Sequence, residues 1–251
     1  GEDPRKIPMK IFPAVHYSMG GLWVDYNHMT NIPGLFACGE CDYQYHGANR
    51  LGANSLLSAI YGGMVAGPNA INYVKGLTKH AEDLPSSIFE AERKRQQEKY
   101  DQILAMDGNE NAYLLHKELG EWMTDNVTVV RYNDRLKKTD EKILELMERY
   151  KNINVNDTNK YNNQGASFTR QLWNMLELAR VITIGALLRN ESRGAHYKPE
   201  FPERNDEEWL KTTKAFYDPE KKGPRFEYED VDVSLIKPRK RDYSKAKEAT
   251  K

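Results

Sequence analysis

The apolar residues in the second half of the chain recur at helical spacing, and this pattern constrains the fold most. Tyr100–Met106 and Ala112–Met123 carry the apolar stripe of amphipathic helices. Asn133–Lys151 repeats the pattern, with Thr139-Asp140 as its cap, and Ser167–Arg189 is apolar enough to be the central helix. The spacing therefore predicts three or four antiparallel helices, most simply arranged as a bundle.

The composition changes sharply before these helices. From Ile7 to about Tyr73 the sequence is rich in Gly, Ala, Asn and apolar residues and poor in charge. From Pro85 onward charged residues are dense. Because the two parts differ so much in composition, we expect a domain boundary close to residue 80.

The regular spacing ends after Arg193-Gly194, where several prolines argue against a further regular helix. The alternation in Phe226–Ile236 is typical of one strand. The chain is therefore divided into a segment over residues 1–80, a helical bundle over 81–195 and a Pro-rich, basic tail with one strand over 196–251.

Charge and hydropathy exclude several classes of protein. The 251 residues hold 37 Lys and Arg against 37 Asp and Glu, so the chain lacks the overall positive field of a nucleic-acid-binding protein. No window approaches the roughly twenty apolar residues that a membrane span requires. Two cysteines cannot build a disulfide framework, which predicts a reducing compartment. Residues 237–251 hold seven Lys and Arg against two Asp and Glu, which indicates either a solvated tail or docking to an acidic partner or anionic membrane surface.

Two short motifs are matched only in part, and the missing residues argue against a metal site or a nucleotide-hydrolysing site. Cys38 and Cys41 fit the C-x-x-C spacing, but no second cysteine pair exists to complete a zinc site. Gly47–Gly52 fits the first half of a phosphate-binding loop, but Ala53-Asn54 stand where Lys and Ser or Thr are required. We therefore expect no bound metal and no NTPase activity, and a redox or metal role for the cysteines is the weaker interpretation.

A combination of features in the same region predicts a cofactor site instead. Ile32–Ala37 is typical of a turn followed by a buried strand, and this strand ends at Gly39-Glu40. A loop with His46 and Arg50 follows and leads to Asn54-Ser55, which would cap an apolar helix. The N–H groups at a helix start and its roughly half positive charge suit an electron-rich heterocycle or an anion. Arginine can bind a carboxylate through two parallel hydrogen bonds, so the region predicts a site for a polar cofactor and a carboxylate.

Several longer motifs resemble the flavoprotein subunit of succinate dehydrogenase and fumarate reductase, and they occur in the order typical of that family. They are His16–Gly21, Gly34–Glu40, His46–Leu57, Glu191–His196 and Pro202–Trp209. The resemblance covers most of the chain but only the C-terminal part of that subunit. It implies a mainly α fold, in which a helical bundle follows the last strand, turn and helix of an α/β FAD-binding domain and precedes a short β or irregular tail.

The resemblance also implies roles for residues at the substrate site. His16 and Arg50 would bind the two carboxylates of succinate or fumarate. His46 would contact either the flavin or the substrate. Arg193 and His196 would mainly dock the helical domain on the flavin domain, and they are the weakest candidates for the active site.

On the cofactor side, the resemblance implies that Glu40 accepts hydrogen bonds from the sugar portion of FAD. Asn54, Ser55 and Leu56 would lie at the helix start that faces the isoalloxazine ring. A helix N-terminus at that place would stabilise the negative charge that develops on the ring when a hydride is transferred.

The implied activity is the interconversion of succinate and fumarate by hydride transfer to flavin, with electrons passed to an iron–sulfur protein subunit. A membrane anchor subunit and a peripheral location on the cytoplasmic face of the inner membrane are also implied, while the direction of the reaction stays open. L-aspartate oxidase, a soluble flavoenzyme with similar motifs, is the first alternative. A helical interaction module without cofactor is the second.

The partial coverage of the family leads to expectations for the chain alone. We expect it to be colourless and inactive, because pyrophosphate recognition and covalent flavin attachment lie on family sequence that has no counterpart here. We expect the bundle to fold by itself with Trp173 buried in the central helix. The first segment would be rearranged or buried against a second copy of the chain in a dimer.

Overall fold

Five long helices carry most of the regular structure in the computed structural model, which describes residues 3–11, 16–218, 220 and 223–239. They are α1 (Asn54–Lys75), α2 (Ser86–Leu104), α3 (Ala112–Met123), α4 (Asn133–Tyr150) and α5 (Gln164–Leu188). A helical turn, α6 (Asp206–Trp209), precedes a hairpin of β1 (Lys211–Phe216) and β2 (Arg225–Asp230). The chain is therefore mainly α, as the sequence predicts.

The helices α2 to α5 enclose one apolar core, in which α4 packs along α5. The buried side chains of this core include Leu115, Leu119, Ile143, Leu146, Ile153, Leu172 and Leu176. Local sequence sets where two of these helices begin, because Asn111 accepts from the N–H groups of Tyr113 and Leu114, and Asn163 accepts from that of Ala166. The predicted bundle thus has its own apolar core.

Two details of the bundle differ from the sequence prediction. The helix predicted at Tyr100–Met106 begins much earlier, at Ser86. The sequence did not indicate these earlier turns, because they are largely charged and exposed and show no apolar stripe. Thr139 and Asp140 do not cap α4 but lie inside it, where the Thr139 hydroxyl donates to the carbonyl of Arg135 at 2.8 Å. Asp140 instead accepts from Arg180 of α5 at 2.8 Å, so the predicted cap residue forms a partly buried ion pair between two helices.

The described part of the tail contains two strands where the sequence predicted one. β1 pairs antiparallel with β2, and Thr213 faces Tyr228 across the ladder. The sequence Lys-Thr-Thr-Lys-Ala-Phe of β1 has no alternation of apolar and polar residues, so only its partner showed a strand pattern. The basic residues after Arg239 lie outside the described residues.

The first segment has little regular structure before α1. The strand predicted over Ile32–Ala37 contributes only an isolated bridge between Met29 and Phe36, since no neighbouring strand among the described residues continues the ladder. It is followed by a 3₁₀ turn at Gly39–Cys41 rather than by a strand end. Among the described residues, none of the helices is both long and apolar enough to cross a membrane.

Candidate functional site

The side chain of Arg50 lies over the ring of Tyr17, which directly follows His16 in the chain. The guanidinium carbon is 5.0 Å from the ring centroid, within the range of a cation–π contact. One terminal nitrogen, Nη1, donates to the carbonyl of Leu51 at 3.1 Å. The structure thus brings the exposed His16 segment to the arginine that the sequence predicts for substrate binding.

The Nε atom of Arg50 is buried and has no hydrogen-bond partner within the described part of the chain. A buried charged donor without a partner is costly, by about 1–3 kcal/mol or more. A carboxylate that accepts from Nε and from a terminal nitrogen would remove this cost through two parallel hydrogen bonds. Arg50 therefore has the geometry of a hydrogen-bond donor to a carboxylate.

The imidazole of His46 is held between the same tyrosine and α1. Its Nε2 is 3.0 Å from the hydroxyl of Ser58, and that hydroxyl donates to the carbonyl of Ser55 at 2.9 Å. The imidazole Nε2–H is therefore the donor in the first bond, and the tyrosine ring packs against the imidazole in an edge-to-face arrangement with centroids 5.2 Å apart. His46 is positioned as a link between Tyr17 and α1.

The first turn of α1 differs from the predicted cap. Ala53, not Asn54-Ser55, occupies the N-cap position, and no side chain caps the turn. Ala53 adopts φ 63° and ψ −2°, a left-handed conformation that few non-glycine residues adopt. Leu56 exposes 73% of its surface. The start of α1 therefore offers a positive helix end beside an exposed apolar side chain, which suits a ring with a polar edge.

Glu40 lies in the 3₁₀ turn and is exposed. Its Oε1 accepts from the backbone N–H of Ser18 at 2.9 Å. This bond ties the turn to the segment that contains His16 and Tyr17. The remaining acceptor capacity of the carboxylate is open for a hydroxyl donor.

A buried polar network below the loop was missed by the sequence analysis. His28 Nδ1 donates to the carbonyl of Ala37 at 2.8 Å, and its Nε2 accepts from the hydroxyl of Tyr45. Burial, with the nearby charge of Asp42, raises the pKa of Tyr45 to about 12, so the phenol stays protonated. The network fixes the turn that leads to His46, and no sequence motif indicated it.

The segment Glu191–His196 contacts the loop of Arg50 directly. The N–H of Ala195 donates to the carbonyl of Ala48 at 2.9 Å. Arg193 pairs with Glu191 and with Asp206, each at 2.8 Å. Burial alone would raise the pKa of Glu191, but its bonds to Arg193, the Asn205 N–H and Arg189 hold that pKa below its ordinary value. The segment therefore contacts the Arg50 loop through Ala195, whereas Arg193 pairs with groups of the C-terminal part.

His196 is also part of this segment. Its Nδ1 accepts from Arg131 at 2.5 Å and its Nε2 donates to the carbonyl of Arg189 at 2.9 Å. Burial, with the nearby charge of Arg131, lowers the pKa of His196 to about 4, so it is neutral at ordinary pH. Both ring nitrogens have protein partners, which indicates a structural role rather than substrate contact.

The described residues contain no cluster of three or more His, Cys, Asp or Glu side chains that could hold a metal ion. Cys38 and Cys41 are both free thiols, and the Cys41 thiol donates to the Cys38 carbonyl at 3.2 Å. The chemistry of the region therefore rests on a guanidinium, two imidazoles, a carboxylate and a helix start.

Comparison with known proteins identifies the architecture. Residues 116–243 match the family model described as fumarate reductase flavoprotein C-term, and residues 1–56 match that of an FAD binding domain. The succinate dehydrogenase flavoprotein subunit of Bacillus subtilis is 74% identical over 99% of this chain and 42% of its own length. The fumarate reductase flavoprotein subunit of Haemophilus influenzae is 38% identical over 99% of the chain and 41% of its own length.

A solved structure gives the same result. The chain superposes on E. coli quinol fumarate reductase with a TM-score of 0.86 and 34% identity, covering 96% of this chain and 41% of that one. The chain thus spans less than half of the length of these relatives. The FAD-binding match ends at residue 56, in the first turn of α1, and the C-terminal match begins in α3.

Proposed function

The chain belongs to the family of succinate dehydrogenase and fumarate reductase flavoprotein subunits, and we propose that the full-length protein interconverts succinate and fumarate with FAD as cofactor. The observation that carries this proposal is the buried, unpartnered Nε of Arg50 beside the uncapped start of α1. A site of this kind combines a carboxylate donor with a helix end that favours an electron-rich ring.

The residues on the cofactor side fit FAD. The chemistry that FAD supplies when bound is hydride acceptance from succinate or hydride donation to fumarate. The uncapped N-terminus of α1, at Asn54 and Ser55, would stabilise negative charge on the ring without reorganisation. Leu56, with its exposed side chain, would pack on the apolar face of the ring, and Glu40 would accept from ribityl or ribose hydroxyls.

The residues on the substrate side have distinct tasks. Arg50 would bind one carboxylate with Nε and a terminal nitrogen, and the Tyr17 ring would keep the guanidinium plane in place. His16 would bind the second carboxylate of the dianion. Holding both ends of a four-carbon diacid places its central carbons in one orientation, which is the main requirement for transfer of a hydride. His46 would support Tyr17 without touching the substrate.

We also propose the partners of the full-length protein. Electrons would leave through an iron–sulfur protein subunit, and a membrane anchor subunit would hold the complex at the cytoplasmic face of the inner membrane as a peripheral component. The similarity to subunits of succinate dehydrogenase and quinol fumarate reductase supports such an assembly. The alternatives have less support, because the relatives compared above are not L-aspartate oxidases and the FAD-binding match argues against a module without cofactor.

The proposal is tested with Arg50→Lys in the full-length enzyme. Lysine keeps the charge but lacks the planar pair of donors, so the loss of carboxylate binding is expected to cost about 2–5 kcal/mol. We expect the kcat/KM for succinate to fall on the order of 10²-fold while the flavin content, measured by absorbance, stays near that of the wild type.

The matched control is Arg95→Lys on α2. Arg95 is exposed and pairs with Glu92 of the same helix, so its replacement is expected to leave kinetics unchanged. A value of kcat/KM for Arg50→Lys within a few-fold of the wild type, with flavin retained, would remove Arg50 from the substrate site.

A further inference from the structure

The segment Glu191–His196, which contacts the loop of Arg50, is held rigidly by its neighbours in the C-terminal part of the chain. The carboxylate of Glu191 is fully buried and accepts from Arg189 at 2.7 Å and from Arg193 at 2.8 Å. It also accepts from the backbone N–H of Asn205 at 3.0 Å. A buried carboxylate with three charged or backbone donors leaves the start of this segment little freedom.

The other end of the segment is held by a second set of buried groups. Lys198 is fully buried, and its amine donates to the carbonyl of Leu187 at 2.9 Å and to Asn190 Oδ1 at 3.1 Å. His196 bridges Arg131 and the backbone of Arg189, as described above. The turn at residues 193–195 is thus fixed to the C-terminal end of α5 from both sides.

Gly194 is at the tip of this turn and contacts the backbone of Ala48. Its φ is +58°, and a Cβ placed on it would lie 2.5 Å from the Ala48 carbonyl oxygen and 2.6 Å from the carbonyl carbon. Such distances are much shorter than any real contact, and backbone atoms cannot rotate away. The adjacent N–H of Ala195 donates to the same carbonyl at 2.9 Å. Only glycine allows this approach.

Arg50 has few restraints of its own by comparison. The described contacts of its guanidinium are the ring of Tyr17 and the carbonyl of Leu51, its own chain neighbour. The position of the guanidinium therefore depends on where the backbone of the loop lies. Ala48, two residues before Arg50, is the point at which the helical part fixes that backbone.

We propose that Gly194 is a positioning residue for Arg50, through which the helical domain sets where the dicarboxylate-binding guanidinium lies. The proposal rests on the proposed role of Arg50 in binding a carboxylate. A displacement of about 1 Å at a group that orients the substrate can cost on the order of 10²-fold in kcat/KM. Gly194 itself touches neither substrate nor cofactor in this scheme.

The experiment uses the full-length holoenzyme and its Gly194→Ala variant. The readouts are the Kd of malonate, a dicarboxylate that does not react, from the change in flavin absorbance, and KM and kcat for succinate. We expect the Kd and the KM to rise by about 10-fold to 10²-fold, with kcat changed less and flavin content retained. A role in stability alone would lower the melting temperature and leave Kd unchanged.

A double-mutant cycle connects the effect to Arg50. In the Arg50→Lys background, Gly194→Ala is expected to change the Kd of malonate by less than about twofold, because the group it positions is already gone. Gly185→Ala is the matched control, since a Cβ there would only touch the ring of Phe226 at 3.4 Å. This control is expected to bind malonate as the wild type does.

Gly194→Asn separates the contact from backbone strain, because asparagine tolerates positive φ but still carries a Cβ. We expect it to weaken malonate binding as much as alanine does. Recovery of affinity in this variant, or loss of flavin from both variants, would overturn the proposal. If Arg50→Lys weakens malonate binding and Gly194→Ala does not, this inference fails alone; if Arg50→Lys has no effect, the proposed function fails.

Discussion

The helical bundle and the segment before it differ in how far their large apolar side chains are buried. In the bundle Leu115, Leu136, Ile143, Leu172 and Leu176 are fully buried. On α1 the exposed fractions of the large side chains are 73% for Leu56, 65% for Leu57, 62% for Ile60 and 70% for Met64. The bundle has a fully buried core, whereas one face of α1 has no partner among the described residues.

The difference shows that the apolar residues of a helix are not always buried by the chain that contains them. In α5 the buried residues Leu172 and Leu176 contact other parts of the bundle, although Leu178 and Ile182 of the same helix are exposed. In α1 the large apolar side chains named above are exposed, although full burial of each such side chain would be worth about 1.5–3 kcal/mol. The relatives are more than twice as long as this chain, so we expect the rest of the flavin domain to cover α1 in the full-length protein.

The strongest test of this comparison concerns the cofactor. We expect the 251-residue chain alone to bind neither FAD nor fumarate and to show no succinate-dependent dye reduction, because it supplies only one side of the site. The measurement is titration of the purified chain with FAD, followed by flavin fluorescence and by absorbance after gel filtration. Retained flavin absorbance would show that residues 16–75 form a self-contained site.

The next largest effect is expected in the bundle core. Leu176→Ala removes a fully buried side chain of α5 and is expected to lower the free energy of unfolding by about 2–5 kcal/mol. Urea unfolding followed by circular dichroism gives this value directly. A loss below about 1 kcal/mol would mean that the core rearranges around the cavity and that α5 is not central.

The sequence predicted the bundle more accurately than the site because helix periodicity is a local signal. The helices α3, α4 and α5 begin and end within three residues of their predicted bounds. Trp173, which was expected to be buried, is partly buried: it packs against the core and against Tyr150 at a centroid distance of 5.1 Å. Helical spacing indicates a face, but not how far a large ring at the edge of that face extends into solvent.

The site was predictable only in part for a related reason. The motifs indicated His16 and Arg50 as candidates, and the structure brings their segments together. Tyr17, within the same motif, and the contact of Gly194 with Ala48 were missed, because they depend on how distant segments meet. The cap at Asn54-Ser55 was wrong since propensity rules could not anticipate the left-handed Ala53.

A smaller effect concerns pH and the junction of the two regions. The pKa of His196 lies at about 4 in the folded chain, below its ordinary value of 6.5. As pH falls, the imidazole therefore binds its proton in the unfolded chain before it does so in the folded chain. The free energy of unfolding is expected to decrease between about pH 6.5 and about pH 4, by about 3 kcal/mol at most. His196→Gln is expected to flatten this part of the stability profile.

The control for this pH effect is His116→Gln on α3, where the side chain is exposed. The free energy of urea unfolding is measured at several pH values between 4 and 7 for the wild type and both variants. A slope in His196→Gln equal to that of the wild type would show that the buried imidazole does not couple folding to protonation.

The smallest expected effect returns to the exposed face of α1. In the 251-residue chain, Leu57→Gln is expected to change the free energy of unfolding by less than about 0.5 kcal/mol, because the side chain is largely exposed already. In the full-length protein the same change is expected to cost about 1.5–3 kcal/mol if the flavin domain covers it. A large effect in the short chain would mean that α1 is covered there too, by a second copy. Gel filtration of the wild type and the variant decides this, since a dimer held through α1 would dissociate when Leu57 becomes polar.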